Sequence, residues 1–389
     1  MHVRQVIIIV LTGALALAAC TAESPRAAPA DAPASTPSLH VETVARGLDH
    51  PWDVGFLPDG SMLVTERPGR LQLVRNGTTT AVAAELGDVY ARGESGLMSV
   101  LVHPDFTTSR QFSTCQSHAE NGKPVDIRVK TWRLSEDART AVTTRDPLLA
   151  GMPLNSSGRH SGCRLALGPT GELLIATGDT ANSSVTQDLS SLGGKILHAQ
   201  LGTGQPVAGA PIPAHPYVWS YGHRNLQGIA LRPGTTQVFT AEHGPDVDDE
   251  VNLEVAGGNY GWDPSQGGKV RRYDESVPMT DTRRFPGAIA GVWSSGDSTE
   301  AISGATFLTG TQWGPLQGNL VVAALKGQKL LTLQLDAAGR VTGVGTPPAL
   351  SDTHGRLRSV QQGPDGALYV TTDNGSDDDE VLKVTPAVR

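Results

Sequence analysis

Residues 52–74 read WDVGFLPDGSMLVTERPGRLQLV. Apolar side chains alternate with others on each side of a Pro-Asp-Gly turn. Successive side chains of a strand point to opposite faces, so period-two alternation about a Gly/Pro turn reads as a β-hairpin. The same pattern returns at 97–106 (LMSVLVHPDF), 164–179 (RLALGPTGELLIATGD), 228–244 (GIALRPGTTQVFTAEHG) and 359–375 (SVQQGPDGALYVTTDNG). A sixth copy, at 302–335, has a longer first connection. Units recurring roughly every 45 to 75 residues fit blades of about four strands. The chain therefore reads as all-β, a six-bladed β-propeller over 39–389. An array of immunoglobulin-like domains is the alternative, but the turn pattern runs on without linkers.

Composition agrees with short strands and tight turns: Gly 45, Pro 26 and only 5% aromatic residues. A net charge of −8 argues against nucleic acid as a partner. At the N-terminus, Arg4 precedes the apolar run VIIIVLTGALAL (6–17) and then LAAC (17–20). The run is too short to span a bilayer. It reads as a lipoprotein-type signal peptide over 1–19, with Cys20 lipidated and the protein exported and anchored to the cell membrane; an ordinary signal peptide is the alternative. Residues 20–38, rich in Ala, Pro and Ser, read as a flexible linker. In an exported protein Cys115 and Cys163 read as a disulfide, with two buried free thiols as the other possibility.

In a hairpin, the residue before the first strand and the residue after the second lie at one end. Glu94, His160, Arg224 with Asn225, Thr299, and Arg356 with Arg358 stand before first strands. Glu66, Asp179, the 242–245 turn, Lys326 and Asp373 stand after second strands. All are expected to ring one mouth of the propeller. Arg224, Lys326, Arg356 and Arg358 have no equal set of acids beside them in this reading. Arginine forks match carboxylates and phosphates, so the expected ligand is a compact polyanion. The stretch EHGPDVDDEVNLEVAGGNYGW (242–262) holds six acids and no Lys or Arg. It reads either as a solvated acidic loop or as a loop holding a cation between protein and anion. His160 and Asp179 lie across one hairpin, where a carboxylate can fix the tautomer of an imidazole that removes a hydroxyl proton.

Six stretches carry a resemblance: PWDVGFLPDGSMLVTERPGRL (51–71), GESGLMSVLVHPDF (93–106), HSGCRLALGPTGELLIATGD (160–179), SYGHRNLQGIA (220–230), the acidic stretch 242–262, and GRLRSVQQGPDGALYVTTDNG (355–375). Together they are similar to the soluble PQQ-dependent aldose sugar dehydrogenases, over nearly all of 39–384. The resemblance implies oxidation of an aldose at C1 to the lactone, with PQQ and Ca²⁺ as cofactors and an external electron acceptor. It implies His160 as general base, oriented by Asp179. Arg224 and Asn225 correspond to contacts on the reactive carbonyls of PQQ. Lys326, Arg356, Arg358 and Thr299 correspond to groups that bind its carboxylates and ring oxygens. Asp249 corresponds to an acid near the cofactor, and the carbonyls of Gly244 and Pro245 to Ca²⁺ ligands. His243 and Glu94 stand where Gln-type residues occur in the family, and Ile302 where Pro is frequent. DPSQGG after Trp262 has no acid pattern for a second Ca²⁺ site, and DNGSDDDE (373–380) reads as a solvated acidic turn, with a cation-binding turn as the alternative. Two other functions remain open: a non-catalytic sugar-binding or interaction propeller, and a metal-dependent lactonase, which the cationic axis disfavours.

Overall fold

The computed structural model describes residues 37–387 apart from residue 271. The signal peptide, the lipidation site Cys20 and all but the end of the linker lie outside the described residues. Six four-stranded antiparallel sheets form the six blades expected from the repeat. Their inner strands are Pro51–Phe56, Leu97–Val102, Gly162–Leu167, Leu226–Leu231, Ile302–Phe307 and Leu357–Gln362. These pack beside one another around a common axis. Blades 1 to 5 are built from consecutive strands. Blade 6 takes its outermost strand, Leu39–Leu48, from the start of the described chain, where it pairs with Asp379–Pro386.

The core lies in the seams between blades. Six apolar clusters each join neighbouring blades, such as Leu63, Leu71 and Leu73 of blade 1 with Phe112, Trp132 and Leu134 of blade 2. The second strands Met62–Glu66, Leu173–Thr177, Val238–Glu242, Leu320–Ala324 and Leu368–Thr372 are therefore buried at every position. A neighbouring sheet covers each face, so even their polar residues must find internal partners.

Every blade has a β-bulge between its inner and second strand, near the start of the inner strand. A bulge adds a residue, increases twist and re-aims side chains. Six bulges at one end set what faces the axis there. Just below them Asp53 accepts hydrogen bonds from Ser99 Oγ (2.7 Å) and Ser359 Oγ (2.8 Å) and pairs with Arg164 (2.6 Å). The Arg164 guanidinium lies 4.1 Å from the Trp52 ring centroid and donates to the Gln227 carbonyl (2.9 Å). This buried layer ties five inner strands together and closes the axis. Beyond it, Phe56, Val102, Leu167, Leu231 and Phe307 line a cavity of ≈ 320 Å³ at the other end.

Candidate active site

His160, Gly162 and Cys163 have φ values of 49°, 59° and 74°. The chain enters blade 3 through a left-handed bend that is costly for His and Cys, and surrounding contacts must hold it. One is the disulfide between Cys163 and Cys115 of blade 2, with Cα atoms 5.6 Å apart. Another is the close passage of Gly178, where a Cβ would lie 1.9 Å from the His160 carbonyl oxygen. The pairing Gly162↔Thr177 then sets His160 beside Asp179. His160 Nδ1 is 2.8 Å from Asp179 Oδ1, and both residues are buried.

Asp179 is saturated with donors. It accepts the Ala181 N–H (2.8 Å), the Trp262 indole N–H (2.8 Å) and the Tyr273 hydroxyl (2.6 Å). Burial first, then the charge of Asp179, pushes the Tyr273 phenol well up, so it remains a donor. An ionised carboxylate only accepts, so His160 carries its hydrogen on Nδ1 and keeps the Nε2 lone pair. Nε2 has Arg159 Nη2 at 3.5 Å.

Blade 4 meets this pair directly. The Asp179 N–H donates to the Arg224 carbonyl (2.7 Å), and the His243 N–H to the Asn225 carbonyl (3.0 Å). Arg224 is 5% exposed. It donates from Nη1 to the His243 carbonyl (3.0 Å) and from Nη2 to Glu275 Oε1 (2.6 Å). Asn225 Nδ2 donates to Glu94 Oε2 (2.9 Å), joining blade 4 to the loop before blade 2.

Four of the six acids of the acidic stretch are not solvated. Glu242, Asp249, Glu250 and Glu254 are buried and hydrogen-bonded to their own blade. Asp249 accepts the Gly244 N–H (2.9 Å), the Thr299 hydroxyl (2.8 Å) and the Glu300 N–H (2.6 Å). Asp249 and Thr299 thus satisfy each other and hold two mouth loops in register, where the reading had both facing a ligand. The Gly244 and Pro245 carbonyls, in contrast, receive no hydrogen bond among the described residues.

Arg358 also differs from the expected rim cation. It is 4% exposed, pairs with Asp373 through Nε (3.0 Å) and Nη2, and donates to Gln227 Oε1 (3.2 Å). With Arg224 on Glu275, two of the four cations have acid partners. Arg356 is exposed and donates to the Asp373 carbonyl (3.2 Å). Lys326 is exposed, without an ion pair among the described residues. Glu66 is buried and turned to its own blade, holding Arg70 (3.0 Å), Gln72 (2.6 Å) and the Asp49 N–H (2.6 Å). In 373–380 only part of the acidic turn is solvated. Asp379 is fully buried and accepts the Thr372 hydroxyl (2.6 Å) and the N–H groups of Asn374 (2.6 Å) and Gly375 (2.9 Å).

Sequence reasoning missed Trp262 as a donor, and it missed Tyr273, Glu275, Arg159 and Arg67. Tyr273 and Glu275 lie in the excursion 263–292 between the last two strands of blade 4, where no repeat signals a site. Burial first, with Arg358 near it, lowers the Arg67 pKa, while Asp373, Asp49 and Glu94 act against this. The Arg67 N–H donates to the His50 carbonyl (3.1 Å), and its carbonyl accepts the Leu97 N–H (3.0 Å) at the start of the inner strand of blade 2.

The mouth fits an anionic ligand and a cation on its own polar atoms. His243 Nε2, Arg224 Nε and Ser303 Oγ are buried without a partner. An unmet buried donor costs about 1–3 kcal/mol, which a ligand oxygen would recover. Burial, then the positive charges of Arg358, Arg224, His160 and Arg356, hold the His243 pKa well below 6.5, so it offers a neutral imidazole. The two free carbonyls of Gly244 and Pro245 suit a hard cation.

This closed ring with one histidine–carboxylate mouth falls among the propeller-fold sugar oxidoreductases, by comparison with known proteins. The chain belongs to the glucose/sorbosone dehydrogenase family, whose model matches residues 48–383. Escherichia coli aldose sugar dehydrogenase YliI is 34% identical over 359 residues, covering 91% of this chain and 94% of that protein. The soluble aldose sugar dehydrogenase of Escherichia coli, solved in its apo form, superposes with TM-score 0.77 at 33% identity over 90% of this chain and 100% of that one. The PQQ-bound aldose sugar dehydrogenase of Streptomyces coelicolor gives TM-score 0.75 at 29% identity over 91% and 99%.

Proposed function

We propose that the protein oxidises aldoses at C1 to lactones, using PQQ and Ca²⁺, and passes the electrons to an external acceptor. The observation that carries this is the His160–Asp179 pair at 2.8 Å, with Nε2 left as the basic atom. His160 Nε2 takes the proton of the C1 hydroxyl. Asp179 stabilises the imidazolium that forms, and Tyr273 and Trp262 keep Asp179 aimed at Nδ1. When bound, PQQ with Ca²⁺ supplies an electrophilic quinone that accepts the C1 hydride. Arg224, Asn225, His243, Lys326 and Arg356 would bind its oxygens, with Arg358 behind them on Asp373, and the Gly244 and Pro245 carbonyls would hold the cation. Asp249 and Thr299 keep the Gly244 turn in place. Export, with a lipid anchor on Cys20, belongs to the same proposal and rests on the N-terminal sequence.

Purified apoprotein reconstituted with PQQ and Ca²⁺ is expected to reduce a dye with a panel of aldoses. His160→Ala should lose at least about 10²-fold in kcat, while PQQ still quenches tryptophan fluorescence. Full activity in that variant would refute the base role. PQQ binding without turnover for any sugar would leave a binding propeller.

A further inference from the structure

One carboxylate crosses the mouth. Glu275 Oε1 accepts from Arg224 Nη2 at 2.6 Å and from Arg159 Nη2 at 3.1 Å. Its Oε2 has no partner among the described residues. The two arginines differ in freedom: the Arg224 side chain is 6% exposed and that of Arg159 47%. Arg224 cannot turn away, because Nη1 is held by the His243 carbonyl. Its Nε has no partner among the described residues, and Glu275 takes one of the two N–H groups of Nη2. Any anionic oxygen that binds Arg224 at Nη2 does so beside the Glu275 carboxylate, whose negative charge opposes it. Arg159, in contrast, can move outward with the carboxylate. Its guanidinium lies 5.8 Å from the Tyr273 ring centroid and its Nη2 3.5 Å from His160 Nε2.

The bridge therefore passes over the atom that must receive the substrate's proton. We propose that Glu275 is a specificity-determining residue with two successive partners: it holds Arg224 until the anionic cofactor enters, and then, carried by Arg159, accepts a hydroxyl of the sugar placed at His160. This rests on the dehydrogenase reading above. A carboxylate with one free oxygen, steered by a guanidinium, is well suited to a polyhydroxylated ligand, because a charge-assisted hydrogen bond is stronger than a neutral one. The arginines keep Glu275 ionised: the bond to Arg224 and the charges of Arg224 and Arg159 hold its pKa low against its burial.

The test uses Glu275→Gln and Arg159→Gln in the full-length protein. Glu275→Gln removes the charge that competes for Arg224. The Kd for PQQ, read by fluorescence titration of apoprotein with Ca²⁺ present, is expected to fall about fivefold. The KM for the best aldose should rise about tenfold, with kcat changed less than about twofold. Arg159→Gln leaves Glu275 wholly on Arg224, so the Kd for PQQ should rise instead, again with a higher KM. A folding defect would weaken PQQ binding in both variants. Unchanged or weaker PQQ binding in Glu275→Gln overturns the first partner, and an unchanged KM overturns the second. Wild-type protein that fails to bind PQQ at all overturns the dehydrogenase reading itself, a result separate from either.

Discussion

Asp179 accepts from four groups contributed by blade 3 and by the long connection between the last two strands of blade 4, and only one of them was readable in the sequence. His160 and Asp179 flank one hairpin, and a two-residue period is enough to put them at one end. Trp262 and Tyr273 reach Asp179 Oδ2 from 83 and 94 positions away, at separations no local pattern specifies. Their function follows from valence: with Oδ2 occupied, Oδ1 is left for the imidazole. Tyr273→Phe removes one charged hydrogen bond, worth about 1.5 kcal/mol. It should lower kcat about tenfold with little change in Tm. Steady-state kinetics beside a melting curve check this, and an unaltered kcat would show that Trp262 alone orients the carboxylate.

Within blade 4, the acid-rich strands look solvated in sequence because charge runs usually are. The blade is instead covered on both faces, and its acids turn inward around His223. That imidazole lies 2.9 Å from Glu242 Oε2 and 3.7 Å from Glu254 Oε2, stacked 4.4 Å from Tyr260. Burial opposes its charge, but Glu254 and Glu242 outweigh it and raise the pKa above 6.5. Burial, then the neighbouring Glu242, raises Glu250 well above 4.5, and burial raises Glu254. The signs agree. Each group holds a proton in the folded state that the unfolded chain has lost, so its stabilisation is complete below its ordinary pKa. That contribution fades as pH rises through the folded value. Stability assigned to this cluster should therefore fall as pH rises from about 4.5, the ordinary carboxylate value, through neutrality. Glu250→Gln, already neutral, should flatten the decline of Tm over that range relative to wild type. Parallel Tm–pH curves for the two proteins would remove Glu250 from the account.

At the scale of the whole molecule, the ring closes by one pairing: Leu39–Leu48 completes blade 6 on Asp379–Pro386. Closure leaves no long unpaired edge on the inner three strands of any blade and covers Val381, Leu382 and Val384. A chain starting at residue 51 should lose at least about 10 °C in Tm, or aggregate, while one starting at residue 37 keeps the closing strand and serves as the control. Blade number and blade order were legible, since alternation and Gly/Pro turns act over ten or twenty residues. So was the end at which charged groups gather, because hairpin geometry carries that from residue to fold. Which of those groups face the axis was not legible. A bulge in each blade shifts the two-residue period, so Arg358 turns inward onto Asp373 and Gln227 while Arg356 stays outside. Local backbone chemistry therefore determined the six hairpins and their common mouth. Only the closed ring decided which charges are paired and which atoms remain free, because many partners come from distant blades and a buried polar atom is satisfied only where the ring brings one within reach.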